Sequence, residues 1–148
     1  MNHKTQGRAY AFKFLYQIVF EGNDDPKSYS EKLEDFDLSS RQLDPEDISL
    51  NPQGVMFGKD LIKKVLPHLE EFRKEVPIYL KTGNIKTLSN VEKAIVFLGY
   101  HELKYETDVP FKVVLNEYIN LSKTYGQQRS KDLVNGILES MSKKLERK

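Results

Sequence analysis

The side chains in this 148-residue sequence most able to hold a metal or move a proton are three histidines, His3, His68 and His101, and 22 acids. Their spacing points to neither use. No histidine is followed three or four positions on by a second histidine, Tyr105 stands where a His-Glu-x-x-His motif opening at His101-Glu102 needs its second ligand, and no glutamate has a histidine three residues later, as a di-iron bundle requires. The sequence has no cysteine, which removes thiol catalysis, disulfides and thiolate zinc sites together. Neither a Gly-x-Ser-x-Gly elbow nor a phosphate loop occurs. Catalysis is therefore not expected, and neither a cofactor nor a metal is called for.

The remaining chemistry is charge. The 23 basic and 22 acidic residues nearly cancel, but they are unevenly placed. Residues 21–50 carry ten acids against three bases, while residues 1–20 carry Lys4, Arg8 and Lys13 with no acid. One acidic segment thus masks a positive excess over the rest of the chain. Because screening confines such fields to about 8 Å at physiological salt, a polyanion would respond to local cations and not to the total.

The elements that must position these groups read as helices. With 39% hydrophobic and 11% aromatic residues, the length suits one core and one domain. Apolar positions Ala11, Leu15, Ile18 and Val19, widened by Tyr10, Phe12, Phe14, Tyr16 and Phe20, predict a helix from residue 8 until Gly22. A short helix is predicted around Ser30–Phe36, then a long acidic surface connection over 37–53, where Asp44-Pro45 and Asn51-Pro52 supply turn chemistry. Between Val55 and Leu80 the apolar residues step at three and four, and Pro67 divides them into two helices.

Ser89-Asn90-Val91-Glu92 has the pattern of a capping box, ahead of an almost all-round apolar run that must be central. Asp108 and Pro110 are expected to start the next helix, which Gly126 closes, and Ser130 to cap the last. Gly136 inside that last helix suggests a close helix–helix approach, and Asn116 and Asn135 read as buried hydrogen-bonding groups. No stretch alternates long enough to demand a strand. The longest uncharged apolar stretch, Ala94–Tyr100, is far short of a membrane span, and residues 1–7 lack a secretory h-region, so the expected compartment is the cytoplasm, with no membrane association. The expected architecture is all-α, a single compact domain of about seven helices.

Several of these segments together resemble the NusB family of bacterial transcription antitermination factors. They are Val91-Glu92-Lys93-Ala94-Ile95, Tyr100-His101-Glu102-Leu103, Asp108-Val109-Pro110-Phe111-Lys112-Val113 with Asn116-Glu117, Leu121-Ser122-Lys123 with Tyr125-Gly126, and Val134-Asn135-Gly136-Ile137-Leu138. The likeness runs almost unbroken from Val91 to Leu138, and Leu15-Tyr16-Gln17 is similar to part of the family's first helix. Residues 21–90 match only loosely.

What the resemblance implies is a NusB-like bundle of about seven helices that binds single-stranded boxA-like RNA of ribosomal operons. It would do so with a small-subunit ribosomal protein, NusE, inside an RNA polymerase antitermination complex, with no catalysis and no cofactor; homodimers also occur within the family. The residues carried over for RNA are Lys4, Arg8, Tyr16, Lys112, Arg129, Ser130 and Lys131, and for the protein partner Tyr16, Phe20 and Glu92. The first helix departs from the arginine-rich family pattern, since Thr5 and Gln6 occupy places usually basic. Phe97 replaces a usual arginine, while Arg129 stands where an acid is common. A rival reading follows: a protein-only helical adaptor or chaperone for the ribosomal protein, with little RNA affinity of its own.

Overall fold

The computed structural model describes residues 2–22, 28–43 and 51–148, and for 38–43 the backbone alone. Among the described residues there are seven α-helices, several 3-10 turns and no strand, as the all-α reading expects. The chain divides at Pro67 into two compact units, Met1–Pro67 and His68–Lys148.

In the first unit, α1 (His3–Glu21) opens earlier than its apolar periodicity suggests, because Asn2 caps it: the side-chain oxygen accepts from the Thr5 amide at 2.7 Å. Gly22, at φ 66°, ends it in the left-handed conformation that glycine adopts without strain. Helix α2 (Tyr29–Leu43) is longer than the short helix expected and covers the first part of the expected 37–53 connection. Ser39 and Ser40, inside the expected connection, lie within this helix. Of the rest of that connection, 44–50 lie outside the described residues, and 51–53 are not loop but the N-cap and first turn of the next helix.

Helix α3 (Pro52–Val65) carries proline in its first turn and packs against α1. Their crossing is close. A Cβ on Gly7 would lie 2.7 Å from the Gly54 carbonyl oxygen and 2.9 Å from the Gly58 amide nitrogen, so the backbones meet where Gly54 and Gly58, four residues apart, leave room. Asp37 of α2 ties this unit together, accepting from the Tyr10 hydroxyl and from Lys59 Nζ, each at 2.9 Å.

Pro67 interrupts the helix at the predicted place, in a 3-10 turn ahead of α4 (Leu69–Glu75). In the second unit a further turn, Val76–Tyr79, and a loop through residue 88 lead to α5 (Asn90–Tyr105). This is the central helix: eleven of its residues are buried, from Glu92 to Leu103, and it packs against both α6 (Phe111–Tyr125) and α7 (Ser130–Lys144). A Cβ on Gly99 would meet Leu138 at 2.7 Å, so the close contact between α5 and α7 is made there and not at Gly136, where a Cβ would meet nothing within 4 Å. Gly136 is exposed, which corrects the expectation of close packing at that position.

Three other local expectations are also corrected. Helix α6 begins one residue after Pro110 with no side-chain cap, so Asp108 does not cap it. Instead the Phe111 amide donates to the Lys148 carbonyl at 3.0 Å. Asn116 is exposed and Asn135 half-buried, so neither is a fully buried polar group. Arg147 closes the unit: Nε donates to the Leu103 carbonyl at 2.9 Å, in the last turn of α5, and Nη2 to the carbonyls of Glu106 and Val109 in the loop that follows.

Candidate nucleic-acid interface

Of the cations carried over on α1, Lys4 is exposed and Arg8 is not. Arg8 is 2% exposed, and its guanidinium lies over the Phe57 ring, 5.4 Å from the centroid. The close crossing at Gly7 draws this turn of α1 against α3, and the arginine stem and head are covered with it. Direct phosphate contact, expected of Arg8, is closed to it in this conformation.

Farther along α1, about 12 Å from Arg8 by helical rise, lies an aromatic ladder. Phe12, Tyr16 and Phe20 follow one another at four-residue spacing, with ring centroids 6.3 and 6.1 Å apart, the second pair stacked. Phe12 is buried, Tyr16 is half-buried and Phe20 is 67% exposed. The ladder thus runs from the interior to solvent. It ends on a large exposed apolar ring, Phe20.

In the second unit the capping box is present in full. The Ser89 hydroxyl accepts from the Glu92 amide at 3.1 Å, and Glu92 Oε1 accepts from the Ser89 amide at 2.9 Å. The same carboxylate receives two more donors from the start of α7: Ser130 Oγ to Oε2 at 2.7 Å, and Arg129 Nη2 to Oε1 at 3.2 Å. Burial alone would raise the Glu92 carboxyl, but hydrogen bonds from Ser130 and Ser89, with the Arg129 charge, outweigh it and hold the group below its ordinary range.

Glu92 is fully buried and Ser130 likewise, whereas the Arg129 side chain remains 59% exposed. Ser130 is therefore a structural joint, not an exposed contact. It opens α7 without being its N-cap, accepting from the Gln127 amide at 3.0 Å and donating to Glu92. Gly126 is required beside it: a Cβ there would lie 2.7 Å from the Ser122 carbonyl and from Ser130 Cβ and Oγ.

Arg129 and Lys131 are thus both exposed at the start of α7, two residues apart and therefore on different sides of the helix. Lys112, also exposed, stands in the first turn of α6, about 20 Å away along that helix. The structure brings Arg129 and Ser130 together on Glu92, places Lys131 in the same turn on a different side of the helix, and leaves Lys112 apart. Sequence reasoning missed the double duty of Glu92, because the local motif explains only two of its four bonds. It also missed the exposed cation Lys81, whose lone position in a turn carries no periodic signal.

A second polar cluster lies around His101, which is 2% exposed. Its Nε2 is 3.2 Å from Glu106 Oε1, while Nδ1 has no hydrogen-bond partner. Burial pushes the imidazole below its ordinary value near 6.5 despite Glu106 and Glu102, with the neighbouring His68 pushing the same way. Among the described residues no group of three or more His, Asp or Glu is placed to hold a metal ion, and no helix is long and apolar enough to cross a membrane.

Comparison with known proteins supplies the frame for these groups. The NusB family model matches residues 5–143. A transcription antitermination protein NusB of Clostridium botulinum is 30% identical over 142 residues, spanning 94% of this chain and 99% of its own. One from Myxococcus xanthus is 28% identical over 96% of each chain, and one from Histophilus somni is 36% identical over 70% of this chain and 78% of its own. Among solved structures, NusB of T. maritima superposes with a TM-score of 0.76 at 25% identity, covering 97% of this chain and 92% of that one. NusB from Aquifex aeolicus gives 0.75 at 24% identity, which bears on the fold alone.

Proposed function

The chain belongs to the NusB family of transcription antitermination proteins, and on that premise we propose that it binds single-stranded, boxA-like RNA of ribosomal operons together with the small-subunit ribosomal protein NusE, as a non-catalytic cytoplasmic component of an RNA polymerase antitermination complex. The observation that carries this reading is Arg129, more than half exposed at the start of α7 and anchored at one Nη on the buried Glu92, with Lys131 exposed in the same turn. A guanidinium has five N–H donors in a fixed fork, so one bond to Glu92 orients it while others remain for a phosphate. Lys4 and Lys112 add exposed cations, and Tyr16 an aromatic face of the kind on which bases stack. Arg8 contributes by holding α1 against α3, and Ser130 by fixing the start of α7.

For the ribosomal protein, Phe20 and Tyr16 supply the apolar contact. Glu92 acts on that partner through the geometry it imposes, since its carboxylate is buried. The protein-only adaptor reading is favoured by two specific observations, the burial of Arg8 and the exposure of Phe20. Fluorescence anisotropy with a boxA-like RNA, with and without NusE, separates the two. Saturable RNA binding, tightened by NusE, is the expected result; NusE binding with no RNA affinity in either titration selects the adaptor.

A further inference from the structure

The second unit contains a groove of about 320 Å³ between α7 and the segment 79–88. Its wall is aliphatic: Leu80, Leu88, Leu133 and Ile137 line it. Exposed Gly136 also borders it, and a Cβ there would have no heavy atom within 4 Å, so the helix surface is open at that point. Threonine hydroxyls at 82 and 87 are spent on each other at 2.9 Å and on the Asn84 carbonyl, within their own turn. Lys81 and Arg129 also border the groove, against a single acid, Asp132.

Two features select the occupant. The one aromatic wall residue, Tyr79, already packs against Tyr100 at 5.6 Å and carries Lys144 Nζ over its ring at 5.6 Å, so the groove lacks the open aromatic platform on which a nucleobase stacks. A concave aliphatic surface bordered by two cations and one acid instead matches a branched aliphatic side chain flanked by carboxylates. We propose that the groove is a docking site for an acidic peptide segment, its aliphatic side chain seated over Gly136 and its carboxylates against Lys81 and Arg129. This goes beyond the RNA reading, since the occupant is a peptide and not a nucleic acid.

The test is a titration of the isotopically labelled full chain, followed by amide chemical shifts. The probes are acetyl-Glu-Glu-Leu-Glu-Glu-amide, its counterpart with lysine in place of glutamate, and a boxA-like RNA. Saturable shifts at Leu80, Leu133 and Ile137, with the acidic peptide at least tenfold tighter than the basic one, are expected. Gly136→Leu starts from a position where a Cβ meets no heavy atom within 4 Å and directs a bulky side chain at the groove, so it should abolish those shifts while its thermal midpoint stays at or above that of the wild type. Lys81→Glu should weaken the acidic peptide severalfold with the fold intact. Equal binding of both peptides, or no saturable shift at millimolar peptide, overturns the proposal. So does RNA that shifts the same amides in the wild type but not in Gly136→Leu, which would assign the groove to a base. Loss of RNA binding alone leaves the peptide result standing, so the two readings fail separately.

Discussion

Arg129 lies over the buried carboxylate of Glu92, donating from Nη2 to Oε1 at 3.2 Å, while Ser130 donates to the other oxygen at 2.7 Å. One acid therefore caps the start of α5 and orients a surface cation at the start of α7. Stability and binding divide between the partners accordingly. Glu92→Ala removes a buried acceptor of three bonds and should cost about 2–4 kcal/mol in urea unfolding. Arg129→Ala, with its side chain more than half exposed, should cost under about 1 kcal/mol. A Glu92→Ala destabilisation no larger than that of Arg129→Ala would contradict the joint.

The glycines separate in the same way. Gly58→Ala would place a Cβ 2.7 Å from the Gly7 carbonyl and should destabilise the first unit by about 1–3 kcal/mol. Gly136→Ala meets open space in a helix interior and should stabilise by about 0.5–1 kcal/mol. Thermal melts of the two variants check both signs.

Acid should weaken the fold in two stages. His101 is held neutral by burial, so its folded pKa lies below 6.5 while the unfolded chain takes the proton near that value. Stability from this group is complete above about pH 6.5 and declines as pH falls through that value toward the folded pKa. The Glu92 carboxyl, depressed in the fold, adds a second decline below its ordinary 4.5. Urea midpoints measured from pH 8 to 3 should show both, and His101→Gln should remove the upper stage only. The titratable groups facing His101 are Glu102, Glu106, His68 and Tyr105, so a shift of the upper stage by Glu106→Gln is also expected.

What is legible in the sequence is what depends on near neighbours. Ser89 and Glu92 bond across three residues, and the amphipathic runs, the break at Pro67 and the stop at Gly126 are read from spacing alone. Ser130 and Arg129 reach Glu92 from nearly forty residues away, and no local pattern encodes that. Gly136 misleads because a glycine announces missing bulk without saying which side of the helix it lies on; the close contact belongs to Gly99. Asn116 sits among apolar neighbours in sequence, yet Val114 and Tyr118 carry the buried stripe of α6 and Asn116 faces out. For the candidate site, residue types are legible but accessibility is not. Nothing in the order of residues distinguishes the covered Arg8 from the open Arg129.

Arg8→Ala should therefore act on folding before binding. It uncovers Phe57 and removes a buried guanidinium, so its unfolding midpoint should fall while the salt dependence of RNA affinity stays that of the wild type. A changed salt slope with unchanged stability would instead make Arg8 a phosphate ligand.

The most direct measurement is the salt dependence of boxA-like RNA affinity for the wild type and for the double variant Arg129→Ala, Lys131→Ala. Removing one cation from a phosphate should flatten the slope of log affinity against log salt by about 0.7 for a single strand, so the double variant should flatten it by about 1.4 and weaken binding at low salt. An unchanged slope and affinity in the folded double variant would contradict an RNA-binding face at the start of α7.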